Sequence, residues 1–276
     1  MSAANDIAAS PAAGRLRAIL RGIGWSGLGL TGVLAAMSDL LAQAPANAQG
    51  VGALLQPPSM NFPFGTDELG RDIAAEVLHA LAITLERGLL AATVTIIAGG
   101  LFGYVAARSP LFAGGAIRWT MGILASIPAL LLAILIVGIG SRGIAALSAG
   151  LAASPLAFTR VFDRARLSTF SAHAAYAKAT GVSSTTLLRR DLTYEFRDNF
   201  LSTAARSLAA VTIILSTASF LGFGAVPPHR DFGLMIAAAR ATYLTAWWTA
   251  AFPALALLAL ILFARLAAGL DEGERP

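Results

Sequence analysis

Charged residues in this chain gather between long apolar blocks, and whole stretches carry no charge at all. Read from charge to charge, six blocks are long enough to cross a bilayer: Gly22 to Ser38, Gly88 to Ala107, Trp119 to Ser141, Gly143 to Thr159, Ser207 to Pro228 and Ala241 to Ala264. About 30 Å of hydrocarbon takes roughly 20 apolar helical residues, within about 17 to 25. The pattern predicts an all-α integral membrane protein with six transmembrane helices. Another charge-free block, Leu40 to Thr66, holds Pro45, Pro57, Pro58 and Pro63 among several Gln and Asn. Proline breaks helices and side-chain amides resist hydrocarbon, so this block reads as an extended loop.

Six crossings put both ends on one side. With the N-terminus inside, the inner segments hold fourteen Lys and Arg, whereas the outer ones hold only Arg71, Arg142, Arg230 and Arg240. The positive-inside rule then makes both termini cytoplasmic. The layout is a cytoplasmic tail over 1–21, a first transmembrane helix over 22–41, an extracytoplasmic loop over 42–79, a five-helix core over 80–270 with an inner loop at 160–199, and a cytoplasmic tail over 271–276. Arg15, Arg17 and Arg21 before an apolar run, with small residues from Ala42, also resemble a cleavable signal. Against cleavage, the run exceeds the roughly 7 to 15 residues usual for such a core, and Asp39 follows it.

Composition agrees. The chain is 57% apolar and 13% charged, where soluble domains hold about 45–50% and about 25%. A net charge of +5 and a pI near 10.4 would suggest nucleic acid in a soluble chain, but here follow from topology. The absence of cysteine excludes disulfides and thiolate sites, and His79, His173 and His229 are too far apart for a local metal motif.

Motifs for chemistry are sparse. GIGWSG at Gly22 and GIGSRG at Gly138 match GxGxxG, yet neither joins a strand to a helix. No phosphate loop, HExxH or GxSxG occurs, so no catalytic residue is assigned. Asp67, Glu68, Asp72 and Glu76 could bind a cation, but fit a solvated loop and helix start better, and no metal is expected. Gly99 and Gly103 form a GxxxG pair that lets helices approach closely. Pro128 and Pro253, inside the third and sixth blocks, would kink their helices. Ser126, Ser216 and Ser219, with Pro128, are candidates for a translocation pathway, although a serine in a span more often bonds its own helix. Glu86, Arg87 and Arg206 lie near span ends, where they can snorkel. The charged segment Arg160 to Asn199 reads either as an amphipathic surface helix or as a docking element.

FGTDELGRD at Phe64 to Asp72 resembles the signature of binding-protein-dependent ABC importer permeases of the dipeptide, oligopeptide and nickel class, specifically their second permease subunit. Three later stretches agree in order: SIPALLLAILIVGIGS from Ser126, SFLGFGAVPP from Ser219 with DFGLMI from Asp231, and FPALALLALILF from Phe252. Together they cover roughly Ala44 to Asp271. The resemblance implies a bacterial inner-membrane subunit with a cytoplasmic coupling helix between spans four and five. It implies as partners a homologous second permease, two cytoplasmic ABC ATPases and an extracytoplasmic solute-binding protein, with no nucleic acid. ATP and Mg would sit on the ATPases, with no cofactor on this chain.

The family's ATPase-docking motif corresponds here to Ala174, Ala175, Tyr176, Ala177, Lys178, Ala179, Thr180, Gly181, Val182, Ser183 and Ser184. Aligned on Gly181, Ala175, Tyr176 and Ala177 stand where the family usually has Glu, Ala and Ala, so Ala177 matches while Ala175 and Tyr176 depart. The resemblance favours docking over a passive surface helix for this segment. It implies import of a peptide-like solute, with nickel or a metallophore as the alternative. A stand-alone secondary carrier would show paired ionisable groups deep in its spans, and none is seen.

Overall fold

The computed structural model describes residues 11–42, 44–170, 184–225 and 229–269. Within them run nine α-helices: α1 (Pro11–Ala36), α2 (Ser38–Leu41), α3 (Ile73–Arg108), α4 (Leu111–Ser126), α5 (Ala129–Ile139), α6 (Ala145–Phe170), α7 (Ser184–Phe220), α8 (Phe232–Ala238) and α9 (Trp248–Ala268). Five stretches, 14–36, 73–108, 142–163, 200–220 and 248–268, are long and apolar enough to cross a membrane, and the bent pair α4–α5 can supply a sixth crossing. The chain divides into two compact units, one of residues 1–87 and 215–276, the other of 88–214.

In the first unit α1 lies along α9. Gly24 meets the backbone of Leu266 and Ala267, and Gly27 meets the Phe263 ring, so a side chain on either would collide. The contacts run in opposite order along the two helices, which are therefore antiparallel. The glycines of GIGWSG thus serve helix packing inside α1. Ile73, Val77, Ala80 and Leu81 form one face of α3 at helical spacing, and with Phe232, Met235, Trp248 and Leu260 they build the core of this unit. Leu16, Ile19, Leu30 and Val33 of α1 stay exposed, an apolar surface suited to lipid.

In the second unit α3 packs on α6 through small residues. Ala91, Thr95, Gly99 and Gly103 recur every fourth position and face Gly150, Ser154, Ala157 and Phe158. A Cβ on Gly150 would come within 2.6 Å of the Ala91 carbonyl oxygen, and one on Gly103 within 2.8 Å of that of Phe158. Thr95 Oγ1 donates within this contact, 3.0 Å from both the Ala91 and the Gly150 carbonyl oxygens. The GxxxG pair read from the sequence is therefore a helix contact.

The α3–α6 register also fixes how often the chain crosses. Gly150 meets Ala91 and Phe162 meets Gly103, so contacts advance together and the helices are parallel. The α4–α5 pair must then bring the chain back across the layer, roughly 30 Å over the matching turns of α3. At about 1.5 Å per residue neither α4 nor α5 is long enough alone, but the two together are. Taken as one broken span, the pair brings the crossings to six. The third span, expected from Trp119 to Ser141 with a kink at Pro128, is broken there and bends by 91°. Pro128 lacks the amide hydrogen that would continue α4, and Ile127 before it is held extended at φ −87°, ψ 129°.

Pro155 within α6 has no such effect. It leaves the Leu151 carbonyl without its usual donor, and Ser154 Oγ donates to that oxygen at 2.7 Å. Pro253 lies in the second turn of α9, which runs on as one helix. Other boundaries differ from the charge-based reading. The helical run at the N-terminus begins at Pro11, and α3 begins at Ile73, inside the segment read as loop. The expected fifth span ends early at Phe220, where a turn through Gly222 follows at φ +92°. The sixth starts only at Trp248. Helices extend into the inner segment 160–199, with α6 reaching Phe170 and α7 starting at Ser184.

Candidate functional site

The loop before α3 folds around the run Phe64 to Asp72. Thr66 is buried at its centre, where its hydroxyl donates to the Ala53 carbonyl at 2.5 Å and accepts from the Gln56 amide at 2.8 Å. Trp248 Nε1 donates to the Thr66 carbonyl at 3.1 Å, tying the loop to the start of α9. Gly65 and Gly70 hold φ of +75° and +68°, which any other residue would adopt only with strain. Asp67 Oδ1 accepts from the amides of Leu69 and Arg71, and Asp72 Oδ1 accepts from the Ala74 amide as α3 begins.

Charge is paired on this platform. Asp67 Oδ2 lies 2.6 Å from both Nε and Nη2 of Arg71. Arg230 Nη1 donates to Glu76 Oε2 at 3.3 Å and lies 3.7 Å from Asp67 Oδ2. Glu76 Oε1 also accepts from the Asn47 amide at 2.7 Å. Burial, and then the neighbouring Arg71, push the Arg230 guanidinium below its ordinary pKa, while Glu76 and Asp67 pull it back. Asp72 and Glu76 do start a helix, as expected, but the solvated reading is corrected: Glu76 is 5% exposed and neutralised across the fold. Among the described residues no group of three or more His, Asp or Glu could hold a metal ion.

Below this network lies a buried polar knot. Asp231 Oδ1 accepts from Ser219 Oγ at 2.5 Å and caps α8 by accepting from the Leu234 amide at 2.9 Å. Asp231 Oδ2 faces Arg87 Nη1 at 3.6 Å. The Phe232 amide donates to Thr84 Oγ1 at 3.3 Å. Gly233 presses on the Ser216 carbonyl and Gly224 on Ser219, at distances no Cβ would fit. Arg87 is therefore half-buried against a carboxylate rather than snorkelling. The long loop before α3, the DFG run and the serine near the end of α7 meet in one unit.

This chain is similar to transport permeases over most of its length. The di/tripeptide transport system permease protein DppC of Pseudomonas aeruginosa is 30% identical over 217 residues, 76% of this chain and 72% of its own. A Brucella suis protein whose name places it among peptide transport system permeases is 31% identical over 265 residues, 91% of this chain and 87% of its own. This chain belongs to the permease family of peptide transport systems. The glutathione transport system permease protein GsiD of Escherichia coli is similar at 31% over 229 residues, 79% of this chain and 73% of its own. No family model matches.

As a permease of this family, the chain is a multi-pass membrane subunit of a multi-component transport system. Its coupling candidates fall outside the described residues from Ala174 to Ser183, and Ser184 is placed only as the start of α7. Of the four pathway candidates, two lie in each unit. Ser126 closes α4 at the exposed bend and its hydroxyl donates to the Ile123 carbonyl at 2.7 Å, as a serine serving its own helix does. Pro128 caps α5 on the other side of that bend. Ser216 and Ser219 are buried in the first unit, with the Ser219 hydroxyl committed to Asp231. The pairings of Asp231 with Arg87 and of Arg230 with Glu76 escaped the sequence reading, because the partners are more than a hundred positions apart.

Proposed function

We propose that this chain is the inner-membrane half of an ATP-driven importer of short peptides, with both termini cytoplasmic. Its partners are a homologous second permease, two ABC ATPases that bind ATP and Mg, and an extracytoplasmic solute-binding protein. The observation that carries the reading is the match, over most of the chain, to permeases named for di/tripeptides, peptides and glutathione. These names favour peptides over nickel. Residues Ala174 to Ser184 form the ATPase-coupling segment, with Gly181 at the place of the family motif's glycine. A β-branched residue at 181 then uncouples hydrolysis from transport. Ser126 and Pro128 face the pathway at the bend of the third span, while Ser216 and Ser219 serve its outer closure.

The test is purification of this chain in mild detergent from its native membrane, followed by reconstitution into vesicles. A second permease and ATPases that co-purify, and ATP-dependent uptake of di- and tripeptides with the binding protein added, are the expected results. Recovery of this chain alone under conditions that preserve other membrane complexes would refute the assembly.

A further inference from the structure

The helix α8 and the turn after it, Phe232 to Ala241, are apolar but too short to cross a bilayer, so lipid does not fix their place. Three consecutive residues do. Arg230 reaches Glu76, the Phe232 amide reaches Thr84, and Asp231 faces Arg87. Residues 76, 80, 84 and 87 share one face of α3, and Ala80 between them is fully buried. Asp231 is the centre of this attachment, because the same carboxylate also caps α8 and holds Ser219 at the end of α7. It bonds or faces all three helices.

We propose that Asp231 is a positioning residue of the transport cycle: its clasp on Arg87 and Ser219 keeps α8 moving as one body with α3 and the end of α7. This rests on the reading of the chain as an importer subunit. Alternating access needs the outer closure to move with the spans as a rigid group. A loosened α8 would let solute slip and the assembly turn over without it.

Asp231→Asn isolates the clasp from the fold. Asparagine is as good a helix cap and still accepts from Ser219, but it withdraws the charge that faces Arg87. The assay uses the whole complex with its binding protein in vesicles, a mixture of di- and tripeptides as probe, and mass spectrometry of the lumen. Peptide imported per ATP is expected to fall about tenfold in Asp231→Asn, the factor equivalent to about 1.4 kcal/mol. Hydrolysis without binding protein is expected to rise. The double variant Arg87→Gln with Asp231→Asn, which leaves no unmatched charge, should lie nearer the parent than Asp231→Asn does. A ratio unchanged in Asp231→Asn would overturn the proposal, as would losses that add in the double variant. Loss of assembly in both variants would also overturn it, by making Asp231 a folding residue. Parent vesicles that import none of the peptides would instead count against peptide import, and the hydrolysis readout would still decide the clasp.

Discussion

Adjacent glycines in α3 should respond to the same substitution with opposite signs. Alanine at Gly99 would collide with the Ser154 carbonyl and stand 2.8 Å from both the Ala157 Cβ and the Phe158 nitrogen. Ordinary contact is about 3.5 Å or more, so α6 must retreat by roughly 1 Å. Overpacking of this kind costs about 1–3 kcal/mol. The retreat also stretches the Thr95 to Gly150 hydrogen bond, worth about 0.6 kcal/mol between membrane helices. Against this, Gly→Ala in a helix gains at most about 1 kcal/mol. The contact wins, and Gly99→Ala should destabilise by roughly 1–2 kcal/mol, a fall of several degrees in Tm. Gly100 has no neighbour nearer than Val161 Cγ2 at 4.0 Å, so Gly100→Ala keeps the helix gain without the clash. Thermal unfolding of the purified chain in detergent, followed by circular dichroism, compares the two. Equal midpoints would refute the close α3–α6 contact.

Two further substitutions probe buried polar groups by the same assay. Ser154→Ala strands the Leu151 carbonyl, at a cost of about 1 kcal/mol; adding Pro155→Ala should recover it, because the new amide takes over that oxygen, and no recovery would count against the pairing. Arg230→Met leaves the Glu76 carboxylate buried with the Asn47 amide alone, a loss of about 3 kcal/mol. Glu76→Gln in that background should recover most of it, and an additive loss would show that Glu76 and Arg230 do not pair.

The apolar blocks located the crossings because a span is a local property, a run of residues that avoids charge. They misplaced the ends because a charge marks where hydrocarbon stops, not where a helix does. Thus α3 starts fifteen residues before Gly88, at the cap made by Asp72, and α7 stops at Phe220 in a region that carries no charge. Pro128 gave a local signal, a kink, but its size depends on the extended residue before it. The site was less legible. Ser219 could be singled out as a hydroxyl in a span, yet nothing nearby reveals that Asp231 will hold it or that Arg87 will balance the charge. Such pairings come from packing between distant segments. The four family-like runs compensated, since two of them, around Asp67 and around Ser219 and Asp231, supply much of the polar network of the first unit.

The bend between α4 and α5 also bears on how the chain is made. Ser126, Ile127 and Pro128 are exposed, and with the pair taken as one span their irregular backbone falls within a crossing, where acyl chains offer no donor or acceptor. Such backbone persists only against protein or water. A newly inserted copy therefore carries a polar notch that its described residues do not fill. Its lifetime in the bilayer depends on how soon something else does, which ties the yield of this subunit to synthesis in step with whatever covers that notch.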